Sequence, residues 1–385
     1  MRVFQELRKD WKLLLLEEPH ARRLAVAIKH SAKYFLAACF YYSGLTGILL
    51  ARRLRTSKAA LIVGYHGVQN GTASFLSRGH SLKNIAELLA FLSKHLRPLA
   101  LDEVVGALIQ SKSPPPGFVL TFDDGLVNNV SLAIPLVQSM RIPVTFFVPA
   151  GFVGSPEDPW PILVREIVYA WPRPTIPAEP GLWPSLFVEG DAGRFAASHR
   201  IKRALKGCEG RRLEILGRLA LHSGGFPRAP ESDRVVNPEL LRKMIGPGLS
   251  VGAHSRTHPI LSGLDPERAH EEIAGSRLDL QRLLGTEVLD FAYPNGRFRD
   301  FDETTHRLVQ EAGFRCALTT EPGTVGAGDD PFALRRCMPQ DVPAFLASFD
   351  LLLRVWNDRR RPADRMQPIL SRKSYLSLPT IGEMM

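Results

Sequence analysis

Two short segments carry the side chains with the clearest potential for chemistry. Asp123 and Asp124 follow an apolar run, and His254 and His258 come much later in the chain. Two imidazoles and one carboxylate can hold a divalent metal and leave coordination positions open for water and substrate. The remaining carboxylate can then accept a proton from that water. The pattern predicts a metal-dependent hydrolase, provided that the two segments meet in space.

The elements around these residues predict that they do meet. From Ala59 onward, short β-type runs alternate with amphipathic helical segments, which is typical of a parallel sheet or barrel. In such folds the chemistry lies at the carboxyl ends of the strands. His66, Asp123, His254 and residues 293–295 all fall at such ends. Seven strands are predicted, at 61–65, 118–122, 143–148, 249–253, 288–293, 314–319 and near Leu334.

The local spacing separates the roles of the two aspartates without assigning them. Adjacent side chains of a strand point to opposite faces, and Gly125 permits a turn directly after the pair. One aspartate as metal ligand and the other as base suits this geometry. His254 and His258 have an i, i+4 spacing, but the following proline and the preceding strand favour a loop over a helix.

Charge is concentrated at the N-terminus. The 385-residue chain has a formal net charge of +10, of which residues 1–58 contribute +8. Residues 59–340 hold equal numbers of basic and acidic side chains. A nucleic-acid groove requires clustered Lys and Arg, so we expect no nucleic-acid partner.

Residues 1–58 are predicted to form a basic, apolar helical arm. The uncharged run 34–51 is flanked by basic residues, and as one helix it would be about 27 Å long, at the lower limit for a bilayer span. Three interpretations stay open: an interfacial helix on an anionic membrane, a spanning anchor, or a helix packed against the protein itself. The first two predict membrane association. The isolated cysteines favour a reducing compartment, and therefore the cytoplasmic face.

Two further parts complete the predicted organisation. Residues 59–340 form the barrel, which a long insertion at 151–235 interrupts, and residues 341–385 form a C-terminal helix and tail. We expect the insertion to pack beside or over the mouth of the active site. Its tryptophans, Trp160, Trp171 and Trp183, can stack on sugars or pack in a core, and core packing is favoured for at least two of them.

Over residues 59–340 the chain resembles the polysaccharide deacetylase family (carbohydrate esterase family 4, NodB-like). Residues 121–125 (TFDDG) match the first family motif and residues 254–259 (HSRTHP) the second, and residues 291–296 (FAYPNG) are similar to the third. The resemblance implies an α/β fold, a distorted (β/α)7 TIM-like barrel, here with a long insertion and an N-terminal helical arm. It also implies removal of N- or O-acetyl groups from glycans, often with zinc.

The resemblance further implies a role for each motif residue. A bound metal would lower the pKa of its water toward about 7, and an oxyanion donor is typically worth about 3 kcal/mol. The implied set is a catalytic base, Asp123; three metal ligands, Asp124, His254 and His258; an oxyanion donor, the backbone N–H of Asn295; and a pocket lining, Tyr293 and Pro294.

The sequence departs from the family pattern in two places. An arginine that commonly stands two residues before the third-motif proline is replaced by Ala292. Arg336 is expected to supply its charge from the last strand, although a structural role for Arg335 and Arg336 is the alternative. The late Leu-x-His motif, which provides the usual general acid, has no counterpart. His66, or Asp123 returning its own proton, is then the candidate donor to the leaving amine.

The leading hypothesis is a metal-dependent, most simply zinc-dependent, deacetylase of an N-acetylated glycan or lipid-linked sugar at a membrane surface. Two alternatives belong to other classes: a catalytically silent glycan-binding protein that keeps the barrel, and a deacylase or deformylase of a small amide. The presence of Asp123 argues against the silent protein, because a binding module does not need a base.

Overall fold

The core of the fold is a curled sheet of short, apolar strands. The computed structural model describes residues 20–71 and 79–358. β1 and β5 are buried along their whole length, as expected for parallel strands that are covered on both faces. The strands are β1 (Ala59–Tyr65), β2 (Val68–Gln69), β3 (His80–Ser81), β4 (Pro98–Leu99), β5 (Gly117–Phe122), β6 (Val144–Val148), β7 (Thr175–Ile176), β8 (Leu186–Phe187), β9 (Leu249–Ala253), β10 (Asp290–Ala292), β11 (Cys316–Leu318) and β12 (Val325–Gly326).

Some of the helices pack around this sheet, and others form part of the insertion. Their ends follow ordinary capping chemistry: in α10 the side chain of Asp265 accepts a hydrogen bond from the Arg268 N–H, and Gly285 ends the helix in a left-handed conformation. The helices are α1 (His20–Tyr42), α2 (Leu45–Thr56), α3 (Leu82–His95), α4 (Leu101–Ile109), α5 (Ile134–Ser139), α6 (Trp160–Ala170), α7 (Gly190–Leu205), α8 (Arg212–His222), α9 (Pro238–Arg242), α10 (Pro266–Leu284), α11 (Glu303–Glu311) and α12 (Ala344–Trp356).

The strand order is that of a barrel. β11, β10, β9, β6, β5 and β1 lie side by side and parallel, and β12 adds to β1 in the antiparallel direction. Leu334 bridges to Leu318 of β11, and Cys337 bridges to Val63 of β1. Segment 334–337 therefore connects the two ends of the sheet at the seventh predicted strand position. The predicted (β/α)7 barrel is confirmed.

The N-terminal arm differs from its prediction in one respect. The uncharged run 34–51 is not one helix, because Gly44 has φ 79° and the chain bends by 80° between α1 and α2. Among residues 20–71 and 79–358, no single helix has the length and hydropathy to cross a bilayer. The bent pair Ser31–Tyr42 and Leu45–Thr56 meets that test only when taken together.

The two arm helices pack on α12. Tyr34 contacts Phe345, and Phe40 contacts Phe349, in edge-to-face pairs with ring centroids 6.1 and 5.6 Å apart. A Cβ on Gly47 would lie 2.4 Å from the ring of His95, so only glycine permits this approach of α2 to α3. The described part of the arm is thus joined to the barrel core.

The insertion has an apolar core of its own, which also includes Ile260 of the barrel. Trp160, Trp171 and Trp183 are all buried in it. Each indole N–H donates to a backbone carbonyl, at 3.1 Å to His258, 2.8 Å to Thr175 and 3.2 Å to Pro177 respectively. The core interpretation therefore holds for all three tryptophans.

Candidate active site

Asp124, His254 and His258 converge at the carboxyl ends of β5 and β9. The Oδ1 of Asp124 lies 3.8 Å from the Nε2 of His254 and 3.6 Å from the Nε2 of His258. One ligand atom from each residue falls within 4.8 Å of the others. The two segments that carried the chemistry in the sequence therefore meet, although they lie far apart in the chain.

The spacing of these atoms fits a shared ion. The separations are long for hydrogen bonds, whereas two ligands bound tetrahedrally to zinc at about 2.1 Å would lie about 3.4 Å apart. The Nδ1 of His254 lies 2.7 Å from the carbonyl oxygen of Ala292. As donor to that carbonyl, Nδ1 keeps the proton and leaves the Nε2 lone pair free for a metal. The donor set of two imidazoles and one carboxylate thus fits a divalent ion.

The backbone at the site is held in unusual conformations. Asp124, Ser255, His258 and Asn295 all have positive φ, between 57° and 70°. Such conformations cost on the order of 1 to 3 kcal/mol each, and they are stable only where the surroundings impose them. At His258 the imposing contacts include a hydrogen bond from its N–H to the Ser255 hydroxyl. Residues with such conformations thus cluster just after the ends of β5, β9 and β10.

Asp123 lies close to His254 and is fixed by Arg336. Both of its carboxylate oxygens accept from the guanidinium, at 2.7 and 2.8 Å, and both side chains are almost completely buried. Burial by itself raises the pKa of Asp123, but Arg336, with a smaller contribution from His254, lowers it to about 2. The carboxylate therefore remains ionised and able to accept a proton. This is the position predicted for Arg336.

Arg336 is itself anchored from several directions. Its Nε donates to the carbonyl of Thr319 at 2.8 Å, and one terminal nitrogen also donates to the Thr121 hydroxyl at 3.2 Å. The neighbouring Arg335 points the other way and pairs with Asp358 at 2.7 Å. The alternation of side chains along segment 334–337 thus divides the two arginines between a site role and a structural one.

The third motif places one of its three candidate residues at the site. Asn295 is in the left-handed region, and its N–H has no acceptor among the described residues. Tyr293 is fully buried: its hydroxyl donates to Phe332 and its ring stacks on Phe301 at 4.0 Å. Pro294 is also buried. The prediction that Tyr293 and Pro294 line the pocket is therefore not met, because both residues are buried just after the end of β10.

His66 lies beside the site with its side chain exposed. It is close enough to Asp123 and His258 to influence the pKa of both electrostatically. Its carbonyl accepts a hydrogen bond from the Asn129 side chain, which fixes the end of β1. The His66 imidazole is therefore accessible beside the site.

The insertion makes contacts with the second-motif loop that the sequence did not indicate. The Trp160 indole holds the carbonyl of His258, and the Arg212 guanidinium lies 4.4 Å from the centre of the Trp160 ring. Arg212 pairs with Glu209 at 2.6 Å, and Glu209 accepts from the Ile260 N–H at 3.2 Å. Trp160 and Glu209, joined through Arg212, thus hydrogen-bond the backbone of the second-motif loop at His258 and Ile260, on either side of Pro259. A tryptophan in a Pro-rich stretch carries no such information in the sequence.

Lys202, on α7 of the insertion, brings a positive charge near the metal ligands. Burial lowers its pKa to about 8, with Arg165 acting in the same direction and Asp124 opposing. The Asp124 carboxylate is close enough to this ammonium to affect its pKa electrostatically. No motif could have marked Lys202, because it lies on an ordinary amphipathic helix.

The geometry agrees with comparisons to known proteins. Residues 200–317, which include the second and third motifs, match the family model for polysaccharide deacetylase. In this region the chain is similar to the polysaccharide deacetylase family. YxkH of Bacillus subtilis (strain 168), whose name places it among the polysaccharide deacetylases, is 29% identical over 98 residues. That match covers 26% of this chain and 34% of YxkH, so the chain spans about a third of that relative.

Two solved structures share the fold. The Streptococcus pyogenes deacetylase PplD, in complex with acetate, is 17% identical over 77% of this chain and 98% of its own, with a TM-score of 0.50. IcaB from Ammonifex degensii is 21% identical over 76% of this chain and 97% of its own, also with a TM-score of 0.50. At these identities the similarity shows the barrel fold.

Proposed function

We propose that this protein hydrolyses the N-acetyl groups of a glycan, using a divalent ion, zinc in the simplest case. One observation carries the proposal. Three metal-type ligands, Asp124, His254 and His258, surround one point, and an ionised aspartate fixed by a buried arginine stands beside them. Ligands alone would serve a binding protein, whereas a positioned base serves hydrolysis.

The residues divide the reaction between them. A divalent ion held by the three ligands would supply Lewis acidity toward water and the acetamide carbonyl. Asp123 accepts the proton of the attacking water, and Arg336 keeps its carboxylate ionised and oriented. The free N–H of Asn295 donates to the carbonyl oxygen as negative charge develops there, a contribution of about 3 kcal/mol for such a donor.

The departing amine needs a proton, and three groups can deliver it. Asp123 can return the proton that it accepted. His66 is exposed beside the site, and Lys202 brings an ammonium from the insertion. Loss of His66 or Lys202 should matter most for substrates with a basic leaving amine. An acetate ester with a good leaving group needs no such proton.

Release of acetate tests the proposal directly. Full-length protein loaded with zinc is expected to release acetate from an N-acetylated oligosaccharide, and Asp123→Asn is expected to retain the metal and lose at least about a hundredfold in rate. Binding of the oligosaccharide without release would favour the silent glycan-binding protein. Turnover of a small amide, such as a formamide, without turnover of the oligosaccharide would favour the small-amide deacylase.

We also propose that the helix pair α1 and α2 docks on an anionic membrane, which would bring the enzyme to lipid-linked or surface glycans. Although the pair packs on α12, several apolar side chains of both helices are exposed, and together they form the proposed apolar stripe. Exposed basic side chains, Arg52, Arg55 and Lys58, follow it. Apolar contact combined with roughly 1 kcal/mol per basic residue near anionic lipid suits such a surface. The stripe consists of Phe35, Leu36, Tyr42, Leu45 and Ile48.

Vesicle flotation tests the docking. Removal of residues 1–58 would uncover the barrel core, since Leu50 and Leu54 are fully buried, so point variants are preferable. We expect Tyr42→Ser combined with Ile48→Ser to lower binding to phosphatidylglycerol-containing vesicles at least tenfold. Ile109→Ser, a change at an equally exposed side chain on α4, should have no effect. Equal flotation of both variants would contradict the docking.

A further inference from the structure

A cavity of about 570 Å³ lies where the insertion meets the barrel, outside the metal site. The insertion contributes Arg203, Lys206 and Glu209 to its wall, and the barrel contributes Ile260, Arg299 and Asp300. The barrel residues belong to the loops that follow the second and third motifs. Ile260 stands two residues after His258, and Arg299 stands four residues after Asn295.

The two acids of the cavity are already engaged by the protein. Asp300 is 2% exposed; it accepts from the Arg297 N–H at 3.1 Å and lies 3.5 Å from Lys206 and 3.8 Å from Arg299. Glu209 is held by Arg212 and by the Ile260 N–H. Neither carboxylate is therefore free to neutralise an additional cation.

The cations, in contrast, are in excess. Arg203 has no ion-pair or hydrogen-bond partner among the described residues. Burial lowers the pKa of Lys206, which the Asp300 carboxylate opposes and the nearby Arg299 reinforces. Three cations therefore share a cavity with two committed carboxylates, and an incoming anion would be stabilised there.

We propose that this cavity binds a phosphate ester carried by the glycan whose acetyl group is removed. Guanidinium groups match the geometry of phosphate oxygens. Two of them, those of Arg203 and Arg299, line this cavity together with the ammonium of Lys206. The volume exceeds that of a phosphate alone and suits a phosphorylated sugar. Part of the wall belongs to the loops that follow the second and third motifs, so the cavity is formed next to the active-site loops. This inference rests on the proposed deacetylase function.

The segment around Glu209 contacts the second-motif loop and also forms part of the cavity wall. Its carboxylate grips the second-motif loop through Ile260, while its own loop forms the cavity wall. The cavity wall and the His258 loop are thus joined through one short contact.

Isothermal titration of the zinc-loaded, full-length protein tests the inference without turnover. The probes are N-acetylglucosamine 1-phosphate, N-acetylglucosamine and inorganic phosphate. We expect the phosphorylated sugar to bind at least tenfold more tightly than either other probe. Arg203→Met and Arg299→Met should each reduce that advantage about fivefold or more, and Arg307→Met should leave it unchanged. Arg307 is a matched control, because its side chain is 65% exposed, as is that of Arg299, and both are paired with a carboxylate.

Several outcomes would overturn the inference. Equal affinity for the phosphorylated and neutral sugars would exclude a phosphate subsite. Equal affinity for inorganic phosphate and the phosphorylated sugar would show a free-anion site unconnected to the glycan. Insensitivity of binding to both arginine variants, with unchanged thermal melts, would place the phosphate elsewhere. Acetate release is measured separately, so a failure of the deacetylase proposal would not be mistaken for a failure of this one.

Discussion

Replacement of Arg336 by methionine is the most informative single change in this protein. The guanidinium is completely buried and donates to both oxygens of Asp123, which is itself 1% exposed. Methionine fills much of the same volume but removes the charge and every hydrogen bond. The variant therefore leaves a buried carboxylate without its partner and a base without its orienting group.

The structure sets the size of the effect. Removing one member of a buried pair typically costs about 3 to 5 kcal/mol, which corresponds to a fall in Tm of about 4 to 6 °C for a chain of this length. The dependence of stability on acidic pH gives a second measure of the Asp123–Arg336 interaction in metal-free protein. The pKa of Asp123 is lowered from 3.8 to about 2, which is worth on the order of 2 kcal/mol. This stability is present above pH 3.8 and is lost as the pH falls toward 2.

The assay compares acetate release, zinc content and thermal unfolding in three proteins. Arg336→Met is expected to bind zinc, to melt lower and to lose about a hundredfold in kcat/KM. It should also lose the acid-dependent part of stability between pH 4 and 2. Arg335→Met is the control, because it breaks a comparable buried pair with Asp358 without touching Asp123. An Arg336→Met enzyme with zinc bound and full kcat/KM would refute the assignment of Arg336 as the residue that positions the base.

Three further changes probe the rest of the site. His258→Ala is expected to lose zinc, and elemental analysis showing full occupancy would refute the ligand set. Trp160→Phe keeps an aromatic ring but removes the indole N–H that donates to the His258 carbonyl. Zinc affinity should therefore fall about 10- to 100-fold with little change in Tm. A lower Tm with unchanged zinc affinity would indicate a purely structural role. If Lys202 or His66 is the proton donor, the corresponding variant, Lys202→Met or His66→Gln, is expected to slow hydrolysis of an N-acetyl sugar more than that of an aryl acetate. If neither variant shows this selectivity, Asp123 is left as its own proton carrier.

The sequence was sufficient for the elements that depend on local pattern. The buried runs of β1, β5 and β9 end at polar residues, so both their length and the face that carries chemistry were visible. The caps of α10, Asp265 and Gly285, are residue types that favour the two ends of a helix by local chemistry alone. The bend at Gly44 was missed, because an uncharged run has the same composition whether it is straight or bent, and only the left-handed φ reveals the break.

What the sequence by itself determined is the inventory of the site: which carboxylates, imidazoles and arginines are present and at which strand ends. Only the tertiary structure decided how they are shared. Two adjacent arginines look alike in the chain, and the register of segment 334–337 sends Arg336 to Asp123 and Arg335 to Asp358. Likewise Tyr293 enters the core, and Trp160 reaches His258 across 98 residues. Such contacts join segments that are remote in sequence, so their partners are fixed by packing and not by local preference.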